Sequence, residues 1–168
     1  MQSIWSKESH PNLGPTTSSK NGPEILAGAV GPKAMEMSSD FAAGLAGFSF
    51  NADIEEIKDS FNRVNEAFVK KNKTPRLVTS FWFGLGEGAR SDIQIHLERY
   101  LGWMGEDLAK DLAKTAGFSG SQDELVDFLH LIKAAGATDV IMVPTSKNIE
   151  QLILAEEAIT EFKQNLTN

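Results

Sequence analysis

The sequence predicts an α/β protein built on a parallel sheet. Three observations carry that reading. Short, almost wholly apolar runs recur as Glu24–Val30, Leu45–Phe50, Arg76–Phe83 and Val140–Val143. Helical stretches lie between and after them, so a strand–helix pair repeats four times. No alternating run with a two-residue hairpin turn occurs, and continuous apolar strands joined by helical crossovers pair in parallel beneath covering helices.

The elements follow in order. Residues 1–22, rich in Pro, Gly, Ser and Asn, read as an irregular lead-in, and 23–168 hold the four strand–helix units of one domain. Behind Pro23, EILAGAV reads as a buried strand. In GPKAMEMSSDFAAG, Pro32 suits the first helical position, Met35 and Ala42 face inward, and Gly44 suits the stop. LAGFSF is the second strand. Ile54, Ile57, Phe61, Val64 and Phe68 recur at spacings of three and four, which puts them on one helical stripe. Asp53 and Glu56 have capping-box spacing at its start, and Lys70, Lys71 and Lys73 suit the negative pole at its end better than a binding patch.

Pro75 breaks the chain before RLVTSFWF, a third strand by its β-branched and aromatic content. The turn GLGEGAR leads into one helix or a helix pair from Ser91 to about Ala116. Ser121 and Glu124 again have capping-box spacing, with Leu125, Phe128, Leu129 and Ile132 facing inward up to Gly136. VIMV is the fourth strand, ended by Pro144, and a last helix carries Ile149, Leu152, Ile153, Ile159 and Phe162.

Composition removes several functions. The 168 residues fit one domain. A formal charge of −7 argues against nucleic-acid binding, which needs a basic face. With no cysteine there is no thiolate nucleophile and no sulfur-bound metal. No apolar run nears the roughly 20 residues that span a bilayer. The first twenty residues lack the apolar core of a signal peptide, so a soluble cytoplasmic protein is expected.

Motifs are sparse. Gly84, Gly86 and Ala89 satisfy G-x-G-x-x-G/A after a strand, but the next segment is helical where a dinucleotide unit needs a second strand ending in an acid. A flexible loop opening a helix accounts for them better. His10, His96 and His130 stand far apart with no metal-ligand spacing, and no G-x-S-x-G elbow occurs. No catalytic side chain and no metal site is nominated, so a cofactor would have to supply the reactive atoms. The informative spot is the first strand–helix junction, Gly28-Ala29-Val30-Gly31-Pro32-Lys33. Ligands collect at the carboxyl ends of parallel strands, exposed amides at a helix start attract anions, and glycines let a phosphate approach. The alternative is that these glycines serve only a tight turn.

The run PEILAGAVGPKAMEMSSDFAAGLAGFSF, then PRLVTSFWFGLGEGA and AAGATDVIMVPTS, resembles the C-terminal part of the luciferase-like monooxygenases, the flavin- or deazaflavin-dependent oxidoreductases of the bacterial luciferase superfamily. Trp5 and Gly14-Pro15 resemble the family's approach to its first matched strand. The resemblance implies a (β/α)8 barrel with FMN or a 5-deazaflavin at the carboxyl ends of the strands. It places the cofactor phosphate on the backbone of Gly28, Ala29, Val30 and Gly31, with Lys33 in the following turn. It also implies a small organic substrate. Ala43 departs from the family, which usually has Asp there, and Asp40 lies one turn earlier.

A full barrel needs at least about 200 residues. The four units therefore correspond to a parallel (β/α)4 half-barrel like the C-terminal half of a TIM barrel. Such a half leaves strand edges unpaired and one sheet face bare, which calls for a homo-oligomer or a complementing N-terminal half. Phe48, Phe50, Phe81, Trp82 and Phe83 are the aromatics at issue, and alternation puts about half of them under the helices. The competing reading is a non-catalytic, shortened half-barrel that binds a phosphate ligand or self-associates.

Overall fold

The computed structural model describes residues 23–167. The lead-in, with Trp5, His10 and Gly14-Pro15, lies outside the described residues. Strand β1 is Leu26–Ala27, helix α1 Pro32–Ser38, β2 Gly44–Ala46, α2 Ile54–Val69 and β3 Arg76–Leu85. Helix α3, Ala89–Leu101, runs through a 3₁₀ turn at Gly102–Met104 into α4, Glu106–Ala113. Then come β4 Phe118–Gly120, α5 Gln122–Ala134, β5 Asp139–Pro144 and α6 Glu150–Asn165. Every strand pair is parallel, and the result is an α/β, partial TIM-barrel-like fold.

β3 organises the sheet, pairing with β2, β4 and β5. The carbonyls of Val78 and Ser80 accept from the Gly47 and Ser49 N–H groups, whereas those of Leu77 and Phe83 accept from Thr138 and Thr145. Alternate residues of a strand turn their carbonyls to opposite neighbours, so β2 and β5 flank β3. The Gly86 N–H donates to Gly120 O at 3.0 Å, which sets β4 on the β2 side, beyond the end of β2. Four strands thus lie abreast, β1–β2–β3–β5, and these are the four predicted units. The fifth, β4, is an addition the sequence does not announce, because FSG is too short to show a period.

Side chains of β3 alternate between two cores. Leu77, Phe81, Phe83 and Leu85 join Leu45 beneath α1, α2, α5 and α6. Trp82 faces the other way, onto Ile93, Leu97 and Leu101 of α3 and Ala109 and Ala113 of α4. Among the five aromatics, Phe81 and Phe83 lie under the first helical layer, while Phe48 and Phe50 meet the Trp82 ring edge-on at 4.6 and 5.3 Å. Helix α2 buries its stripe as the spacing predicts: Ile57, Phe61, Val64 and Phe68 are each at most 3% exposed. Burial of each such side chain contributes about 1.5–3 kcal/mol. The Ser121 box forms in full, with Ser121 Oγ accepting from Glu124 N–H and Glu124 Oε2 from Ser121 N–H.

Three local readings need correction. Helix α1 ends at Ser38, so Ala42 is buried beyond it and Gly44 opens β2 instead of stopping the helix. A Cβ on Gly44 would lie 1.9 Å from the Arg76 carbonyl oxygen, so bare backbone is what lets β2 reach β3 there. The lysines after α2 serve α1: Lys73 Nζ donates to the carbonyls of Ser39 and Asp40 at 2.6 and 3.1 Å, and Lys71 pairs with Asp40 at 2.7 Å. The first two strands, Leu26–Ala27 and Gly44–Ala46, are shorter than the apolar runs that signal them, although Gly47 and Ser49 beyond β2 still donate to β3 carbonyls.

At the foot of the sheet, Arg76 donates to both carboxylate oxygens of Asp139 at 2.8 and 2.9 Å and to Glu24 at 2.7 Å, tying β3 to β5 and to the approach to β1. The Arg76 guanidinium, with the Thr138 hydroxyl, holds the Asp139 carboxyl down to about 2.

Gly44→Ala should destabilise the fold by ~3 kcal/mol in urea unfolding, since a backbone oxygen cannot step aside; an unchanged midpoint would contradict the close approach. The depressed carboxyl of Asp139 contributes stability above its ordinary value of 3.8 that is lost as pH falls through about 2. Asp139→Asn should therefore flatten the fall of the urea midpoint across that window, modestly, because the pair is solvent-screened.

Candidate functional site

The first strand–helix junction opens onto a cavity of about 360 Å³ at the carboxyl ends of β1 and β2. Gly28, Ala29 and Val30 line it, together with Phe48, Ser49 and Arg63. Gly31 does not; it precedes α1 and its carbonyl accepts from Met35 N–H at 3.0 Å. Lys33 stands exposed in the first turn of α1, outside the lining. The structure thus gathers three of the five sequence-predicted residues on one cavity wall and sets the other two beside it.

Two features of this turn bear on ligand binding. Among the described residues no hydrogen bond uses the N–H groups of Ala29, Val30 or Gly31. A Cβ built on Gly28 or Gly31 would meet no atom within 4 Å, and neither residue has positive φ. Neither packing nor backbone geometry therefore demands glycine there; what the missing side chains leave is open space beside free donors. Those residues fit the approach of a phosphate.

The opposite wall is rigid. Ser49, 2% exposed, donates its hydroxyl to Glu56 Oε2 at 2.8 Å and accepts the Asp53 N–H at 3.0 Å. Its own N–H bonds Ser80 O at 2.9 Å. Asp53 caps α2 through the Glu55 N–H at 2.8 Å. The anticipated Asp53–Glu56 box is thus replaced by a node in which Ser49 holds both the helix start and the Glu56 carboxylate. Asp59 also lines the cavity and pairs with Arg63 at 2.5 Å. Two carboxylates against one guanidinium give these side walls no pull on an anion; the groups here suited to one are the turn's amides and Lys33.

Ser49 and Arg63 escaped the sequence reading. A lone serine between Phe48 and Phe50 in an apolar run, and an arginine one turn after Asp59, were the available signals. The Gly84–Ala89 loop is occupied by the protein itself. Gln151 bonds both the N–H and the carbonyl of Leu85 at 2.7 and 2.9 Å, Gly86 N–H is spent on Gly120, and Gly86 and Gly88 serve the turn with φ of 78° and 81°. His96 stacks on Tyr100, and His130 lies against Phe162. Among the described residues no trio of His, Cys, Asp or Glu could hold a metal, and no helix is long and apolar enough to cross a membrane.

No family model matches the chain, and no curated protein matches it. Solved structures do. An F420-dependent secondary alcohol dehydrogenase, in complex with an F420-acetone adduct, superposes with a TM-score of 0.61 and 11% identity over 86% of this chain and 50% of its own. The coenzyme F420 dependent tetrahydromethanopterin reductase of Methanopyrus kandleri gives 0.55 and 14%, covering 80% and 49%. Monooxygenase RslO1 of Streptomyces bottropensis gives 0.53 and 16%, covering 91% and 50%. At these identities the likeness is one of fold. The chain spans about half the length of the structures it matches.

Ser49→Ala should lower stability by about 1 kcal/mol, because it removes the half-buried hydroxyl bond to the exposed Glu56 carboxylate and the acceptor of the Asp53 N–H together. Thermal unfolding of the variant checks this; a loss under ~0.5 kcal/mol would show that the node is replaceable by water.

Proposed function

We propose that this chain is the C-terminal half of a luciferase-like oxidoreductase, using a flavin or 5-deazaflavin, and that it holds the phosphate end of the cofactor. The observation that carries this reading is the turn at Gly28–Gly31, where unpaired amides adjoin unfilled space at the carboxyl end of a parallel strand. The fold likeness to F420-dependent enzymes and to a monooxygenase supports it. Gly28, Ala29, Val30 and Gly31 would hold the phosphate, and Lys33 would add a screened charge. The ring, when bound, supplies the electron or hydride chemistry on a small organic substrate. Phe48, which lines the cavity and rests edge-on against the buried Trp82 ring, gives the site an apolar wall.

Among the described residues the outer sides of β1 and β5 have no strand partner, which supports completion by a second copy or by a complementing N-terminal half. A second reading, a non-catalytic half-barrel that binds phosphate ligands, is favoured by one observation. Among the described residues, no histidine or lysine lines the cavity to move a proton.

Titration with FMN and with a deazaflavin coenzyme, followed by fluorescence, tests the proposal. Saturable uptake of either is expected; failure with both would leave only the non-catalytic reading. Lys33→Ala should weaken that uptake about two- to fivefold at low salt, with the difference vanishing near 1 M salt, where the screening length falls to ~3 Å.

A further inference from the structure

We infer that the carboxyl end of β5 is a second anion site, separate from the Gly28–Gly31 turn, and that it takes a phosphate group. It lies at the far edge of the sheet from β1, in a cavity of about 430 Å³ between α3 and the turn from β5 to α6. Arg99 and His96 approach from the helix, and Ser146 and Lys147 from the turn.

Charge is the first argument. The chain carries 23 acidic residues against 16 basic ones, and Lys58, Arg63, Lys71, Arg76, Lys110 and Lys114 all pair with carboxylates. Arg99 and Lys147 are among the cations with no such partner among the described residues, and these two line one cavity in an acidic protein. The lining contains one carboxylate, Asp92, seven residues before Arg99 on α3, which is about 10 Å along the helix axis.

Backbone is the second. No hydrogen bond among the described residues uses the N–H groups of Ser146 or Lys147. The turn that presents them is fixed from both sides. Thr145, buried, donates its N–H and hydroxyl to Phe83 O at 3.2 and 3.0 Å, and Asn148 Oδ1 accepts the Glu150 N–H at 3.1 Å. The Ser146 hydroxyl accepts from Asn148 N–H at 3.3 Å, which leaves its own proton to donate. The positive pole of the sixteen-residue α6 begins just beyond. Two cations, two amides and a hydroxyl match the donor set that a tetrahedral dianion takes.

His96 reports on occupancy. Burial and the neighbouring Arg99 hold its imidazole below the ordinary value, while Lys147 from the turn and Asp92 from its own helix complete its charged surroundings. A dianion beside it would offset the two cations and raise it.

The test is inorganic phosphate titrated against the full chain at low ionic strength, read by NMR of the His96 ring. Saturable shifts are expected, with the His96 midpoint rising by about half a pH unit or more. The double variant Arg99→Gln, Lys147→Gln should bind at least about tenfold more weakly and lose the His96 response. Lys133→Gln, a cation on another helix, should match the wild type. Both mutated side chains are exposed, and circular dichroism verifies that the fold is kept. Tighter binding of glycerol phosphate than of phosphate would assign the site to an esterified ligand, and equal binding to the free ion. An unsaturable response, an equal response to chloride at matched ionic strength, or unchanged binding in the double variant would overturn the inference. None of these results depends on cofactor uptake at Gly28–Gly31, so the two sites succeed or fail separately.

Discussion

The hydrogen-bond ladders of β3 set the geometry of the rest. Its ten residues give one edge to β2 and β4 and the other to β5, so three of the other four strands are positioned by a single segment. Its side chains, alternating by the pleat, build one core with Phe81 and Phe83 and a separate one with Trp82. Helices therefore cover both faces, but unevenly. Four helices blanket one side, while the α3–α4 pair shields only the region around Trp82 on the other. Parallel strands usually need both faces covered, and here Phe48 and Ile141 stay 45% and 55% exposed where that cover ends.

Each end of the sheet has a distinct character. At the foot, Arg76 gathers Glu24 and Asp139, fastening three strand starts with charge-assisted bonds that solvent screens. At the carboxyl ends, neutral groups do the fastening: Ser49 after β2, Thr145 after β5 and Gln151 on α6 each bind backbone of a neighbouring element. Among the described residues, that division leaves the two outer turns, after β1 and after β5, with amides that bond no other group beside cavities.

Periodicity reached far in this chain. The stripe of Ile57, Phe61, Val64 and Phe68, the Ser121–Glu124 box and the apolar strand runs were all legible, because helix and strand periods are local properties of the backbone. The alternation that splits Phe81 and Phe83 from Trp82 was legible for the same reason. Gly28 to Gly31 could be singled out by composition, although the sequence left open whether these glycines serve a ligand or only a tight turn.

What the sequence could not decide were meetings between distant segments. Whether Gly44 stops a helix or admits a neighbouring strand depends on the Arg76 carbonyl, thirty-two positions away. Whether Lys73 serves its own helix or the carbonyls of Ser39 and Asp40 depends on where α1 ends in space. Ser49 could not be seen as a node, nor Arg99 and Lys147 as neighbours, until the sheet brought β2 beside β3 and the β5 turn beside α3. Chain-local forces wrote the elements into the sequence; contacts across the sheet, which carry no period, chose the partners of each polar group.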